Sequence, residues 1–337
     1  MIDNEIDQFI VRNVQEHPTD IVRLAAKRFK HSRQSIHRRV RNLVDANVLS
    51  AAGQTRARRY ALVSLVDKHL RLDLKDLQED VVWREVVAPD LAGLSENIRR
   101  IAQYGFTEIL NNAIVHSRGD TAAISIHMTA ANAEFVVSDD GIGIFRKIKE
   151  ELSLEDERHS ILELSKGKLT TNPARHSGEG IFFTTRAFDD FAILSGELRF
   201  MHYLEGDWLV DERDFTRGTA VVMTLDLFTQ RTLRSVFDRF ANGEDEFGFT
   251  RTRFPIFLAK YGDESLVSRS QAKRVVARLD RFREAVLDFE GVSTIGQAFA
   301  DEIFRVFQTD HPDIHLTWVN ANEEVASMIR RALTHSN

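Results

Sequence analysis

Three short segments, far apart in the chain, carry residues that could bind and cleave a nucleoside triphosphate. They are Phe106–Ala113 (FTEILNNA), Asp139–Gly143 (DDGIG) and Gly178–Gly180 (GEG). The first offers a carboxylate and an amide, the second a carboxylate beside two glycines, and the third a glycine pair ahead of an apolar helix start. Each segment alone is weak evidence, but their types, order and spacing together predict a single site.

Glu108 and Asn112 lie four residues apart on a predicted helix over 96–116 and therefore project from the same face. A carboxylate there can act as general base toward an attacking water. The amide oxygen can bind Mg²⁺, which takes few protein ligands and keeps phosphate oxygens and waters as its others. This pair predicts the catalytic base and the metal ligand of the site.

The two glycine segments predict where the rest of a nucleotide would lie. Asp139 follows the strand-like run 133–138, so its carboxylate is fixed at a strand end and can accept a hydrogen bond from an adenine amino group. Gly141 and Gly143 let the backbone approach a ligand closely. Gly178 and Gly180 precede an apolar helix, whose first N–H groups suit phosphate.

Alternating helix and strand patterns surround these segments. After the helix over 96–116, strands are predicted at 122–129, 133–138, 191–194, 198–204 and 219–225, with a long charged segment over 145–177. The pattern predicts one domain of alternating helices and strands over 96–230.

The three segments resemble the N, G1 and G2 boxes of the GHKL ATPases, the family of gyrases, histidine kinases, mismatch-repair ATPases and ninety-kilodalton chaperones. The resemblance implies the Bergerat α/β sandwich, with ATP and Mg²⁺ as ligands. It gives Glu108 the role of activating water, Asn112 that of binding Mg²⁺ and Asp139 that of contacting adenine. It further implies that the remaining glycines and one threonine line the pocket and that an ATP lid follows the second box. The pocket residues are Gly141, Gly143, Gly178, Gly180 and Thr219; the lid is 145–177, with Lys166, Lys168 and Arg175 as candidates to reach phosphate.

The first 65 residues resemble a winged helix-turn-helix. Residues 1–62 contain 12 basic and 6 acidic residues, a net charge of +6, whereas the whole chain carries −6. A basic unit on an acidic body indicates that the first domain is the part that meets a polyanion, and DNA is the expected partner. The predicted recognition helix offers Arg33, Gln34, His37, Arg38 and Arg41, and the predicted wing offers Arg56, Arg58 and Arg59.

Residues 231–337 alternate strands and helices, and the stretch Asp288–Phe299 resembles the core of STAS-like domains. Such domains accept phosphate on a serine at the start of the following helix, where this chain has Gly296, Gln297 and Ala298. Ser293 and Thr294 lie earlier, in the loop. We therefore expect a docking or oligomerising domain, with phosphate acceptance on these two hydroxyls left open.

Composition sets the remaining expectations. The 337 residues are 43% hydrophobic and lack cysteine, which excludes disulfides and thiolate metal sites. No apolar run reaches the roughly 18 residues of a membrane span, so we expect a cytoplasmic location and no membrane contact. The expected layout is a multidomain α+β and α/β chain: a winged helix over 1–65, a helical connector over 66–95, a GHKL domain over 96–230 and a STAS-like domain over 231–337.

The leading hypothesis is an ATP-binding and DNA-binding regulator that hydrolyses ATP slowly and changes dimerisation or partner docking with its nucleotide state. We expect a homodimer. The alternative is a Ser/Thr protein kinase of the anti-sigma-factor type, which the run Asn112–Ser117 (NAIVHS) resembles. A third hypothesis is an interaction scaffold, which intact Glu108 and Asn112 disfavour. Histidine autokinase activity is disfavoured as well, because only His69 precedes the ATP domain in the right region and no dimerisation hairpin surrounds it.

Overall fold

The computed structural model of the protein describes three successive units. It covers residues 2, 4–169, 178–203, 206–211, 217–241, 249–260 and 264–334, with the backbone alone at Arg56, Tyr203 and 206–211. The fold is a mixed α and β multidomain architecture, as the sequence predicts.

Three helices and a two-stranded hairpin form the first unit. Its apolar positions recur at helical spacing, and they build a core of their own around Ile10, Ile21 and Ile36. Ser32 caps the third helix, because its hydroxyl accepts a hydrogen bond from the amide of Ser35 at 3.2 Å. The second helix is preceded by Asp20 and has no side-chain cap. The elements are α1 (Glu5–Asn13), α2 (Ile21–Phe29), α3 (Arg33–Asp45), β1 (Leu49–Ala52) and β2 (Arg59–Leu62).

A seven-stranded antiparallel sheet forms the second unit. The strand order is β3-β4-β5-β9-β6-β7-β8, so the chain places the late strand β9 at the centre of the sheet. Its strands are β3 (Val66–Asp73), β4 (Thr121–Met128), β5 (Asn132–Asp139), β6 (Asp190–Ser195), β7 (Leu198–Tyr203), β8 (Gly206–Asp211) and β9 (Thr219–Asp226). Buried and less buried residues alternate along β4 and β5, since one sheet face packs on helices.

Helices cover one face of this sheet. The longest of them, α5, lies across β5 and β9 and packs against α8. The helices are α4 (Glu79–Val82, continued by a π-helical turn Trp83–Val87), α5 (Glu96–His116), α6 (Ile144–Leu152), α7 (Glu157–Lys166), α8 (Gly180–Ala187) and α9 (Leu233–Phe237). The last of these follows β9 and packs on α5 and α8, so it is part of the sandwich layer although the sequence placed it in the third unit.

The expected helical connector over 66–95 is wrong for its first part. Residues Val66–Asp73 form edge strand β3, paired in register with Thr121–Met128. Their mixed composition concealed a strand because an edge strand tolerates charges on its exposed side, and the exposed positions alternate along β3. The first residues after the hairpin therefore belong to the sandwich.

The third unit is a three-stranded parallel sheet with helices. Parallel strands need crossover connections, and helices supply them here. The elements are β10 (Arg251–Pro255), α10 (Arg269–Val276), β11 (Glu284–Asp288), α11 (Gln297–Asp301, continued by a π-helical turn Glu302–Phe307), α12 (Gln308–Asp310), β12 (His315–Val319) and α13 (Glu323–Thr334). Its buried side chains join those of the sandwich in one continuous hydrophobic core.

Candidate nucleotide-binding site

One cavity receives residues from all three sequence segments. It has a volume of about 550 Å³, within the usual range for small-molecule sites, and lies between α5, the ends of β5 and β9, and helices α7 and α8. Seven of the predicted residues line it: Glu108, Asn112, Asp139, Gly143, Gly178, Gly180 and Thr219. The structure therefore brings together side chains that the sequence separates by more than a hundred positions.

Helix α5 delivers Glu108 and Asn112 to this cavity. The opposite face of the helix is buried through Phe106 and Leu110, which fixes the rotation of the helix about its axis. The Glu108 carboxylate lies directly against the start of α8: a Cβ built on Gly180 would stand 2.0 Å from its Oε2 atom. A general base and a phosphate-binding helix end would thus share one end of the cavity.

Substitution of Gly180 by alanine tests this contact. The atom that the new Cβ would meet is the Oε2 atom at the end of the flexible Glu108 side chain. The carboxylate can therefore move aside, and the free energy of unfolding will change little. A displaced base is misaligned for catalysis, and a shift of about 1 Å can cost on the order of 100-fold in rate. We expect Gly180→Ala to lower the rate of ATP turnover about 100-fold with an almost unchanged melting temperature.

Gly93→Ala is the matched control, because a Cβ there meets no atom within 4 Å. It should leave turnover and melting temperature as in the unmodified protein. Equal turnover in the two alanine variants would contradict the placement of Glu108 against Gly180.

Asp139 and Thr219 face each other across the register of β5 and β9. The Asp139 carboxylate accepts a hydrogen bond from the amide of Gly141 at 2.9 Å, and the Thr219 hydroxyl accepts one from the amide of Ile144 at 2.9 Å. Burial raises the pKa of Asp139 above its usual value, while the two backbone amides that it accepts from oppose the rise. A half-buried carboxylate with acceptor capacity left over suits an amino donor such as that of adenine.

The two glycines after Asp139 have different roles. Gly143 lines the cavity and has a φ of +89°, a conformation that side chains rarely adopt. Gly141 does not line the cavity, contrary to the prediction. It lies instead against the end of α5, where a Cβ would come within 2.1 Å of the carbonyl oxygen of Ser117. Glycine is needed there because any side chain would prevent the loop from approaching the helix this closely.

Asp140 serves the fold of this loop. Its carboxylate accepts hydrogen bonds from the amides of Asp120 and Thr121 and from the Thr121 hydroxyl. These bonds hold its pKa down at about 2. The two consecutive aspartates therefore differ: one faces the cavity, and the other ties the loop to β4.

Two of the three lid cations predicted from the sequence, Lys166 and Lys168, do not line the cavity. Lys166 is fully buried and Lys168 donates to the carbonyl of Arg281, so both ammonium groups contact the third unit. Arg175 lies outside the described residues, as do the last residues of the expected lid.

Several residues that line the cavity were not predicted. Tyr104 precedes Glu108 by one turn of α5, and burial, reinforced by the carboxylates of Glu108 and Glu179, raises its pKa. Phe237 reaches the cavity from α9 and packs edge-on against Tyr104, with ring centroids 5.6 Å apart. Tyr104 could have been predicted as a cavity residue, because it lies four positions before Glu108 on the same helix face. No pattern in the sequence around Phe237 predicts that it lines the cavity.

A magnesium ion fits this site through few protein ligands. Within the described ranges, no cluster of three or more His, Asp or Glu side chains could hold a metal ion. The Asn112 amide in the cavity is a ligand of the kind that Mg²⁺ accepts, and phosphate oxygens and waters commonly complete its shell.

The predicted DNA-contacting residues lie apart from the cavity, in the first unit. On α3 all five predicted side chains are exposed, as are those of Arg58 and Arg59 in the hairpin. The side chain of Arg56 lies outside the described residues. The α3 set is Arg33, Gln34, His37, Arg38 and Arg41.

Comparison with protein families identifies two of the three units. A family described as "Histidine kinase-like ATPase domain" matches residues 74–199, and one described as "STAS-like domain of unknown function" matches residues 271–326. No curated protein matches the chain. The chain thus contains a histidine-kinase-like ATPase domain, which implies ATP binding, usually with Mg²⁺, and a regulatory role, followed by a STAS-like domain. No helix in the described part of the chain could span a bilayer.

Proposed function

We propose that the protein is an ATP-binding, DNA-binding regulator in which the nucleotide state of the ATPase domain controls dimerisation or partner docking. The observation that carries the proposal is the single cavity shared by Glu108, Asn112, Asp139 and Thr219. A ligand that fits one conformation of such a domain better than another shifts the balance between them by its differential affinity.

The chemistry assigned to this cavity is slow hydrolysis of ATP. Glu108 orients a water and takes its proton as the water attacks the terminal phosphorus. The bond from that phosphorus to the bridging oxygen breaks, and ADP and inorganic phosphate leave. Asp139 accepts the adenine amino hydrogen, and the amides after Gly178 face the phosphates. Asn112 would hold Mg²⁺, which neutralises charge on the phosphate oxygens.

DNA is the partner proposed for the first unit. Its excess of basic residues and the exposed face of α3 support this role, since side chains of a recognition helix read base edges in the major groove. A dimer would read two half-sites.

Arg38 gives a direct test of DNA binding. Removal of one cation that neutralises a phosphate lowers the slope of log affinity against log salt by about one. We expect Arg38→Ala to weaken binding of mixed-sequence duplex DNA several-fold, or to change base preference if Arg38 reads a base. Fluorescence anisotropy across a salt series measures both.

Arg234→Ala is the matched control, because it removes the same charge from an exposed position outside the first unit. It should leave DNA affinity unchanged. No DNA binding by the unmodified protein at low salt would exclude this part of the proposal.

A path from nucleotide to DNA-binding unit supports the regulatory role. Strand β9 begins at Thr219, in the cavity, and ends at Asp226. There the Asp226 carboxylate pairs with Arg12 of α1 at 2.7 Å, and the Arg12 guanidinium lies 5.0 Å from the ring centroid of Phe228. One strand therefore runs from the cavity to the first unit, and we propose that it carries a nucleotide-dependent shift from Thr219 to that contact.

A protein kinase is the second candidate function. Ser293 is exposed in the loop before α11 of the STAS-like domain, so its hydroxyl is accessible to a phosphate donor. Incubation with γ-labelled ATP separates the two: release of inorganic phosphate supports hydrolysis, and stable label on Ser293, Thr294 or a separate protein supports the kinase.

A further inference from the structure

Helix α7 is buried between the cavity and the STAS-like domain. All of its residues from His159 to Lys166 are buried, although the helix carries both charges of an ion pair. On one side Leu164 lines the cavity, and Leu169, just beyond the helix end, does so too. The other side enters the third unit. The same helix therefore contacts the nucleotide site and the STAS-like domain.

Lys166 makes the contact on the domain side. Its Nζ atom donates to Glu163 Oε1 at 2.7 Å, to the carbonyl of Arg274 at 2.8 Å and to the carbonyl of Ala277 at 3.0 Å. An ammonium group has three donors, so each has an acceptor. Arg274 lies in the last turn of α10 and Ala277 directly follows the helix end. Backbone acceptors there lack helical partners, and the helix dipole favours a cation.

Three further bonds fix the end of α7 to the same domain. The buried hydroxyl of Thr252 donates to the carbonyl of Lys166 at 2.6 Å. Lys168 and Arg281 exchange bonds, each side chain donating to the backbone carbonyl of the other, at 2.7 and 2.9 Å. Burial lowers the pKa of Lys166, and the adjacent Glu163 carboxylate opposes that shift.

Aromatic rings extend the contact to the phosphate-facing helix. Phe182 of α8 lies in the cavity wall, and its ring centroid is 4.3 Å from that of Phe249. Phe249 in turn packs on Phe282 at 5.2 Å. The STAS-like domain thus touches both helices, α7 and α8, that close one side of the cavity.

From these contacts we propose that the STAS-like domain supports the nucleotide site. Lys166 is the positioning residue, because it holds α7, which forms part of the cavity wall, against this domain. The inference rests on the proposed ATP site and adds its regulation. Docking of the domain preorganises the cavity, so it raises nucleotide affinity, and by reciprocity bound nucleotide stabilises the docking. A partner that drew the domain away would promote nucleotide release.

The unmodified full-length protein gives the first test, which needs no variant. Hydrogen exchange is measured with and without Mg²⁺ and a non-hydrolysable ATP analogue. We expect the analogue to slow exchange at the end of α10, residues 273–277, which lies outside the cavity lining. Analogue binding with unchanged exchange there would overturn the inference and leave the proposed function standing, whereas no analogue binding at all would overturn both.

Lys166→Met gives the second test, with Lys273→Met as the matched control on the exposed face of α10. We expect the dissociation constant for the analogue to rise about tenfold in Lys166→Met and the exchange response over 273–277 to disappear, with neither change in Lys273→Met. In Lys166→Met the buried Glu163 carboxylate keeps, among the described residues, only Arg278 as its cation, at 3.4 Å. Glu163→Leu combined with Lys166→Met therefore provides a paired variant that removes both charges of the Lys166–Glu163 pair. Thr252→Val removes only the bond to the Lys166 carbonyl and should raise the dissociation constant less.

A residue needed only for stability would lower the melting temperature and leave the dissociation constant of the folded protein unchanged. That outcome for Lys166→Met would contradict the proposal.

Discussion

Asp139→Asn abolishes nucleotide binding while making the ligand-free protein more stable: this is the largest effect expected from the structure. The Asp139 carboxylate is the acceptor proposed for the adenine amino group. An asparagine that keeps its oxygen on the Gly141 amide would present its own NH2 group, a donor, to the adenine amino group, which is also a donor. Loss of a charge-assisted hydrogen bond costs about 1.5–3 kcal/mol, which corresponds to on the order of 10- to 100-fold in affinity, and the unfavourable donor pair adds to it. Calorimetric titration with a Mg·ATP analogue measures the loss.

The stability gain follows from the pKa of Asp139. Because burial raises this pKa in the folded protein, the folded state holds its proton to a higher pH than the unfolded state does. The free energy of unfolding therefore falls as pH rises from the ordinary aspartate pKa of 3.8 through the raised pKa, and the full cost is present at pH 7. An uncharged asparagine avoids that cost, so the melting temperature at pH 7 should rise.

Asp140→Asn is the control, and its expected behaviour is the reverse. Hydrogen bonds lower the pKa of Asp140 to about 2, so its charged form is favoured in the folded state. The stability that this adds is present above pH 3.8, the ordinary aspartate pKa, and is lost as the pH falls through about 2. We expect Asp140→Asn to lower the melting temperature and to keep nucleotide affinity. Tight binding by Asp139→Asn would mean that the cavity holds adenine elsewhere or not at all.

The second large effect is on turnover. Glu108→Gln keeps the shape of the side chain and removes its basicity, and a positioned general base contributes about 10²–10⁴-fold to a rate. We expect phosphate release from ATP to fall by that factor, while the dissociation constant of the analogue changes by no more than a few-fold.

Glu96→Gln is the control for turnover, since it makes the same change on the first turn of the same helix, at an exposed position paired with Arg100. Its turnover should match that of the unmodified protein. Rapid phosphate release by Glu108→Gln would exclude Glu108 as the base.

Most residues of the candidate site could be predicted from the sequence, because the direction of each side chain depends on a short segment of the chain. Glu108 and Asn112 are one helical turn apart, and Asp139 is fixed by the strand that precedes it, so short-range spacing predicts where each side chain points. The late strand with Thr219 needed the family resemblance, because its pairing with β5 joins residues 80 positions apart.

What the sequence did not predict depends on contacts between units. Lys166 and Lys168 look like exposed lid cations when only their neighbours in the chain are considered. Their acceptors in the third unit are carbonyls within residues 274–281, more than a hundred positions later, and no local pattern shows those. Phe237 likewise reaches the cavity only because α9 folds back on α5 and α8.

Gly141 and β3 show a different limit. The run Asp139–Gly143 predicts a turn that needs glycines, but which glycine faces a ligand depends on where the end of α5 comes to lie. In strand β3, Val66, Leu70 and Leu72 alternate with exposed polar residues, but Lys68 interrupts this pattern, which an edge strand tolerates. In both cases the packing of a distant element, absent from the local pattern, decides the outcome.

The proposed function requires that the middle of the chain folds around one magnesium-bound adenine nucleotide. A crystal structure of the 337-residue protein with Mg²⁺ and a non-hydrolysable ATP analogue decides this. We expect one nucleotide per chain in the cavity, with the adenine amino group on Asp139 next to Thr219, the metal at Asn112 and the terminal phosphate between Glu108 and Gly180. A nucleotide bound elsewhere, or a cavity still empty at saturating analogue, would exclude this site.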